Sequence, residues 1–201
     1  MGLILNGNAP SKIIYNGTEV SLYFNGSKIW PTVAPPPVIT DYVTIGSQVW
    51  MSKNLAYDDG QGGVYTQTVN YGQGNVVEYY YTWDAAVRII ASIPGWHLPT
   101  HDEWSALATA VGGTSIAGTI LKSTYGWNDS GNGTDDYGFA AFPAGYWSDG
   151  FISFGDIARF WAGTTYQSTR AYNRVFETGA SMRSYISFKT SVYSVRLIKD
   201  S

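Results

Sequence analysis

The sequence predicts an α+β domain. Two amphipathic helical periods occupy its first half, short alternating runs rich in Gly, Ser and Tyr fill its second half, and turn residues punctuate nearly every boundary between them.

The N-terminal residues repeat a pattern. Ile4-Leu5-Asn6-Gly7, Ile14-Tyr15-Asn16-Gly17 and Tyr23-Phe24-Asn25-Gly26 each place two apolar residues before Asn-Gly. Asn-Gly accepts the positive φ angles of type I′ turns, so residues 1–31 read as a small β-meander. So small a sheet buries too little surface to stand alone, which assigns it to attachment, to a homo-oligomer or to virion assembly. Residues 32–37 contain Pro35-Pro36-Pro37 and form a stiff linker; residues 38–201 form the main domain.

Within that domain, residues 43–50 alternate as a two-stranded hairpin. Trp83, Ala86, Val87 and Ile90 then fall at i, i+3, i+4 and i+7, a helix that must end before Pro94-Gly95. Thr100-His101-Asp102-Glu103 is a capping box that starts a second helix with Trp104, Leu107, Ala108 and Val111 as its buried stripe; Gly112-Gly113 stops it. Residues 193–198 read as one closing strand.

Composition narrows the function. Hydrophobic residues make up 44% of the 201, enough for a sizeable core, while only 13% are charged, against about 25% in an average soluble protein. Sixteen Tyr and eight Trp stand among Ser, Gly and Asn, the palette of recognition surfaces. The net charge of −3, with no Lys/Arg cluster, argues against nucleic-acid binding. No apolar run reaches the roughly 18 residues of a membrane span, and no basic, then apolar, leader opens the chain. Zero Cys excludes disulfides, thiolate metal sites and a Cys nucleophile.

The ordered landmarks of residues 38–201 carry a resemblance. Residues 95–104, Gly-Trp-His-Leu-Pro-Thr-His-Asp-Glu-Trp, resemble a segment of the formylglycine-generating-enzyme type of C-type-lectin-like fold. Val49-Trp50-Met51-Ser52-Lys53-Asn54-Leu55 is similar to the opening of the Fibrobacter succinogenes major paralogous domain. Residues 81–86, Asp136-Tyr137-Gly138-Phe139, Pro143-Ala144-Gly145-Tyr146, Phe160-Trp161 and Ser194-Val195-Arg196 continue that family's pattern in order. The resemblance implies a C-type-lectin-like domain and, through one subset of the family, the variable protein of a diversity-generating retroelement carried by phages or mobile elements of gut bacteria.

In that reading residues 144–198 are a variable region. A frame of Gly145, Tyr146, Phe151, Phe154, Gly155, Phe160, Trp161, Ala171, Tyr172, Arg174, Val195 and Arg196 is separated by an irregular polar mix. The expected ligand-binding positions are Ser148, Asp149, Ile152, Ser153, Asp156, Ile157, Arg159, Tyr166, Thr169, Arg170, Asn173, Thr178, Ser181, Ser184, Tyr185, Ser187 and Tyr193. Altered Asn codons do not readily give Gln167 or Glu177, and Leu197 stands where the family usually carries Cys. The function implied is an adhesin-like receptor-binding protein, not an enzyme, needing no cofactor and recognising a protein or glycan on a host-cell surface. It would act on a virion or extracellular surface without membrane insertion. The alternatives are a bacterial cell-surface domain with a fixed carbohydrate or protein ligand and, third, an enzyme of the formylglycine-generating type. Absence of Cys and scarcity of His weigh against the third.

Other motifs read as structural. His97 and His101 have zinc-like spacing, but Pro99 and the Thr100 cap lie between them, so His97 precedes the helix and no metal site is expected. His97 reads as packed or hydrogen-bonded, and His101 as a surface residue. Trp127-Asn128-Asp129 is similar to the calcium-binding motif of sugar-binding lectins but lies too early in the chain. Asp129, Asn132, Asp135 and Asp136 could supply oxygen ligands to calcium, yet they suit ordinary Asx turns better. The four glycosylation-type sequons read as turns for the same reason. Trp50, Trp83, Trp96, Trp104, Phe139, Phe160 and Trp161 are expected in the core, Tyr166, Tyr185 and Tyr193 on the surface.

Overall fold

A computed structural model describes residues 14–15, 18–19, 22–24, 27–30, 35–148 and 150–201. The chain divides into two compact units, Met1–Pro35 and Pro36–Ser201. In the first, β1 (Ile14–Tyr15) pairs antiparallel with β2 (Thr18–Glu19), and β3 (Leu22–Phe24) with β4 (Ser27–Trp30). The Asn-Gly turns expected at 6–7, 16–17 and 25–26 lie outside the described residues.

The second unit is α+β, with mostly antiparallel sheets. β5 (Tyr42–Ile45) and β6 (Gln48–Met51) form the expected hairpin, turning through Gly46 at φ 61°. β7 (Val64–Asn70) and β8 (Asn75–Thr82) form a second hairpin. Helix α1 (Trp83–Ile90) follows, capped by the Thr82 hydroxyl accepting from the Ala85 amide. After β9 (Trp96–His97), helix α2 (His101–Ala110) starts on the full Thr100/Glu103 capping box and buries Trp104, Leu107 and Ala108. A third helix, α3 (Ala117–Leu121), was not expected; it is one short turn with no side-chain cap, so neither periodicity nor a start signal marks it.

The C-terminal half builds β10 (Tyr146–Trp147), β11 (Phe151–Ile152), β12 (Ala158–Gln167), β13 (Arg170–Phe176), β14 (Met182–Phe188), β15 (Val192–Tyr193) and β16 (Ile198–Lys199). β12, β13 and β14 make a three-stranded meander. β15 joins a five-stranded sheet in the order β11-β10-β15-β8-β7, and β16 a four-stranded one in the order β5-β6-β16-β9. The closing strand expected at 193–198 is therefore two strands in different sheets. Between them the backbone is satisfied by loops: the Leu55 amide donates to Val195 O at 2.8 Å and the Met51 amide to Leu197 O at 3.0 Å.

Period 2 places the core. Phe160 and Trp161 are successive residues on β12, so they point to opposite faces, and neither is exposed at all. Phe160 packs with Trp50, Trp104, Phe139 and Phe176; Trp161 packs with Tyr81, Ile89, Tyr193 and Leu197. Strand β12, at one side of the meander, is thus clamped between two aromatic clusters, and truncating either residue to Ala would cost about 3–5 kcal/mol. Trp83 departs from expectation, being only half-buried: its indole donates to Ala162 O at 2.9 Å while one face stays open to Lys189.

Candidate ligand-binding surface

The proximal half of β12 is covered by the Ser194 segment, through the Trp161 amide to Ser194 O and the Ser194 amide to Arg159 O. The meander's distal face instead meets the five-stranded sheet along an open groove of about 340 Å³. Its lining is contributed by three separated segments: Tyr65 of β7; Tyr146, Trp147 and Ser148 at β10; and the stretch from Phe188 at the end of β14 through Thr190 and Ser191 to Val192 and Tyr193 of β15. Tyr65 and Trp147 stack at 5.1 Å with 24° between their planes.

Arg159 stands behind this wall. Strand register puts it on the same face of the meander as Val175, Asn173, Tyr185 and Ser187. Its guanidinium lies 4.9 Å from the Tyr146 ring, 5.3 Å from Tyr193 and 5.8 Å from Tyr185. It donates to the Tyr193 hydroxyl at 3.1 Å; that hydroxyl donates to Ser187 Oγ at 2.9 Å, which also accepts from Asn173 Nδ2 at 3.0 Å. Two polar atoms in this cluster are buried without a partner, Arg159 Nε and Asn173 Oδ1.

The positions expected to bind do not share one surface. Ser148 and Tyr193 line the groove, and Arg159, Asn173, Tyr185 and Ser187 adjoin it. Asp156, Ile157, Thr178 and Ser181 lie at a separate recess with Asp129, Glu177 and Arg183. Ile152 and Ser153 sit on and beside β11, and Ser153 has φ 58°. Arg170 and Ser184 point to the opposite face of the meander, where Arg170 covers Phe188 and Ser184 Oγ accepts from Arg174; Tyr166 and Thr169 are exposed near its tip. Asp149 lies outside the described residues.

Two of these positions are buried rather than on the surface. Asn173 is 0% exposed and Tyr193 only 3%. Asn173 stands opposite Trp161 on the buried middle strand, and the Tyr193 ring packs 4.5 Å from the Trp161 ring, so irregular polar sequence around them concealed a packed environment. In the frame, Gly145, Gly155, Ala171, Arg174, Val195 and Arg196 are buried as expected, but Phe154 is 39% exposed against Tyr71 and Phe151 is half-buried. Gly145 has φ 68°, and a Cβ there would run into the Ile152 carbonyl. Tyr65 and Trp147 were missed; the only sequence signal was an aromatic residue on the outward phase of an otherwise polar strand, which Tyr65 shows.

The remaining polar residues are held structurally. His97 donates or accepts at Asp200 (2.7 Å) and Glu103 (2.9 Å). Burial disfavours its protonation, but these two carboxylates outweigh burial and raise its pKa. His101, expected on the surface, is half-buried: its ring lies 4.4 Å from Tyr172, and burial together with Arg174 lowers its pKa. In the 129–136 loop, Asn132 Oδ1 accepts from the Trp127 amide at 3.0 Å and Asp135 Oδ1 from the Ala140 amide at 2.6 Å, bonds that span five residues and brace the loop, wider than the two-residue reach of an Asx turn. Among the described residues, no cluster of three or more His, Cys, Asp or Glu is arranged to hold a metal.

The fold and the groove together define an α+β domain that presents an aromatic, hydroxyl-bearing concavity built mainly from its C-terminal third. The chain belongs to the Fibrobacter succinogenes major domain family, whose profile matches residues 43–199. Comparison with curated proteins and with solved structures gives no match.

Proposed function

We propose that this chain is a non-catalytic, adhesin-like binding protein on a C-type-lectin-like scaffold that recognises a protein or glycan of a host-cell surface. The observation that carries the reading is the groove itself: three chain segments converge aromatic faces and small hydroxyls on one concavity, behind which a cation has unused bonding capacity. Rigid rings offer contact area at low entropic cost, and Ser and Thr hydroxyls orient what lies against them. Display on a phage virion or other extracellular surface, attached through the N-terminal unit, belongs to the same reading. The test is binding of the labelled full chain to intact host cells, with Trp147→Ala as control. Saturable binding lost in the variant supports it; no saturable binding to any surface counts against it.

Diversification by a retroelement is the finer part of the proposal. It is supported by exposed Ser148, Ile152, Tyr166, Thr169 and Tyr185 alternating with buried Phe160, Trp161, Ala171, Val175 and Val195, a pattern in which side chains vary without disturbing the frame. A fixed-ligand surface domain is favoured instead by Asn173 and Tyr193, which are locked into packing and bonding. Sequencing the gene and its neighbours separates the two. An adjacent reverse transcriptase and an Asn-codon-rich template repeat support diversification, and absence of both leaves the fixed ligand.

A further inference from the structure

The charge distribution says what the groove selects. Residues 158–189, which build the meander, contain Arg159, Arg170, Arg174, Arg183 and Lys189 but only one carboxylate, Glu177, in a chain whose net charge is −3. Glu177 is taken by Arg183 at 2.9 Å. Among the described residues, Arg159, Arg170 and Lys189 make no ion pair; each lies over an aromatic ring instead, Lys189 Nζ 4.0 Å above Trp83 and Arg170 4.5 Å from Phe188. Of these three, Arg159 adjoins the groove behind Tyr146 and Tyr193, Arg170 covers the groove-lining Phe188 from the opposite face of the meander, and Lys189 precedes the groove-lining Thr190 in sequence.

Arg159 is the focus. Partly buried charges are ordinarily paired, because withdrawing a cation from water without an anion is costly. Its guanidinium is framed by three tyrosines, uses one described hydrogen bond, and leaves Nε with no protein acceptor among the described residues. Asn173 Oδ1, on the same face, lacks a donor. An acceptor at one point and a donor beside it would complete the cluster. Tyr185 is 40% exposed and is the most open of the three framing rings, so its displacement is the route to Nε.

We propose that the ligand is an acidic glycan: a pyranose lying against the Tyr65–Trp147 pair and the groove hydroxyls, with its carboxylate directed to Arg159 and a hydroxyl donating to Asn173. This rests on the binding reading above and adds the ligand's class. An acidic peptide would also supply a carboxylate. The sugar is favoured because its C–H faces match flat rings and its hydroxyls match Ser148, Thr190 and Ser191.

The experiment measures affinity of the full chain for tetragalacturonate and for sialyllactose, each against its neutral methyl ester, and for a tetraglutamate peptide. The acidic form of at least one glycan should bind about tenfold or more tightly than its ester at low salt, as expected for a partly desolvated charge pair, and the preference should shrink as salt is added. Arg159→Gln should abolish the preference and Arg159→Lys should retain part of it. If Arg159→Gln does not fold, the acid-against-ester comparison on the native chain still decides. Equal affinity for acid and ester, preference for tetraglutamate, or no binding of either glycan overturns the inference. If host-cell binding persists in those cases, the broader reading survives; if it is absent too, both fail.

Discussion

Two arginines in this domain meet the same kind of neighbour and end in opposite states. Arg196 is 1% exposed, with its guanidinium 4.5 Å from the Phe139 ring. It donates to Asn54 Oδ1 through Nε and Nη2 and to the carbonyls of Met51, Phe139 and Ala140. Asn54 in turn donates to Glu78 at 3.0 Å, so the charge is passed into a satisfied network, although burial still holds the Arg196 pKa down to about 10. Arg159 also lies among aromatic rings, but with one bond and an idle Nε. Cation–π contact alone does not say whether an arginine is structural. What separates the two is whether its N–H donors are used, since the bonding geometry fixes a fold only when complete.

The largest effect that would break this comparison is at Arg196. Replacing it by Met should destabilise the domain by about 3–5 kcal/mol, because three carbonyls and the Asn54 oxygen lose their donor inside the protein. Urea unfolding checks it; a loss under 1 kcal/mol would mean the network is not what holds β6, the Phe139 loop and the C-terminal segment together.

Lys122 is the next test of the same rule. Its ammonium is buried, donates to the carbonyls of Glu177, Thr178 and Gly179 at 2.9–3.0 Å, and lies 4.6 Å from the Trp127 ring. Burial pushes its pKa down to about 8, which leaves it protonated at neutral pH and able to serve three acceptors. Lys122→Met should cost about 2–4 kcal/mol and release the 177–179 turn, readable as faster amide exchange there. Arg159→Met, by contrast, should change stability by less than about 1 kcal/mol, since it strands only the Tyr193 hydroxyl, which keeps Ser187. A loss comparable with that at Arg196 would make Arg159 a structural residue and empty the contrast of functional meaning.

The contrast also explains what the sequence could convey. Local signals were legible: the 83–90 period, the Thr100/Glu103 capping box and the Gly46 hairpin all depend on residues within a turn or two of each other. The frame aromatics Trp50, Trp104, Phe160 and Trp161 were also legible as core. The groove was not, because Tyr65 and Tyr193 meet only after β8 has paired with both β7 and β15, a juxtaposition that no local pattern encodes. Polar composition misled at Asn173 and Tyr193: their neighbours look like loop, but register places them against Trp161. The break at 194–197 was hidden for a related reason, since an alternating run fits one strand equally well whether its partners are strands or separate loops.

The smallest effect belongs to the third kind of cation, one paired with carboxylates but still wet. His97 on β9 bridges Asp200 near the C-terminus and Glu103 on α2, tying the last strand to the helix start. Its pKa is raised in the folded state, because the two carboxylates outweigh the opposing effect of burial. The folded protein therefore holds that proton more tightly than the unfolded chain does. The resulting stabilisation is complete below the ordinary histidine value of about 6.5 and fades as pH rises through the higher folded value. Melting temperature should fall gently as pH rises above the ordinary histidine value, and His97→Gln should flatten that slope while leaving the acid side of the curve in place. The slope should shrink in high salt, because more than a third of the imidazole is exposed and its charge is screened. A slope that survives His97→Gln, or that runs in the opposite sense, would show that the bridge does not control the closing strand and leave that task to fully buried cations such as Arg196.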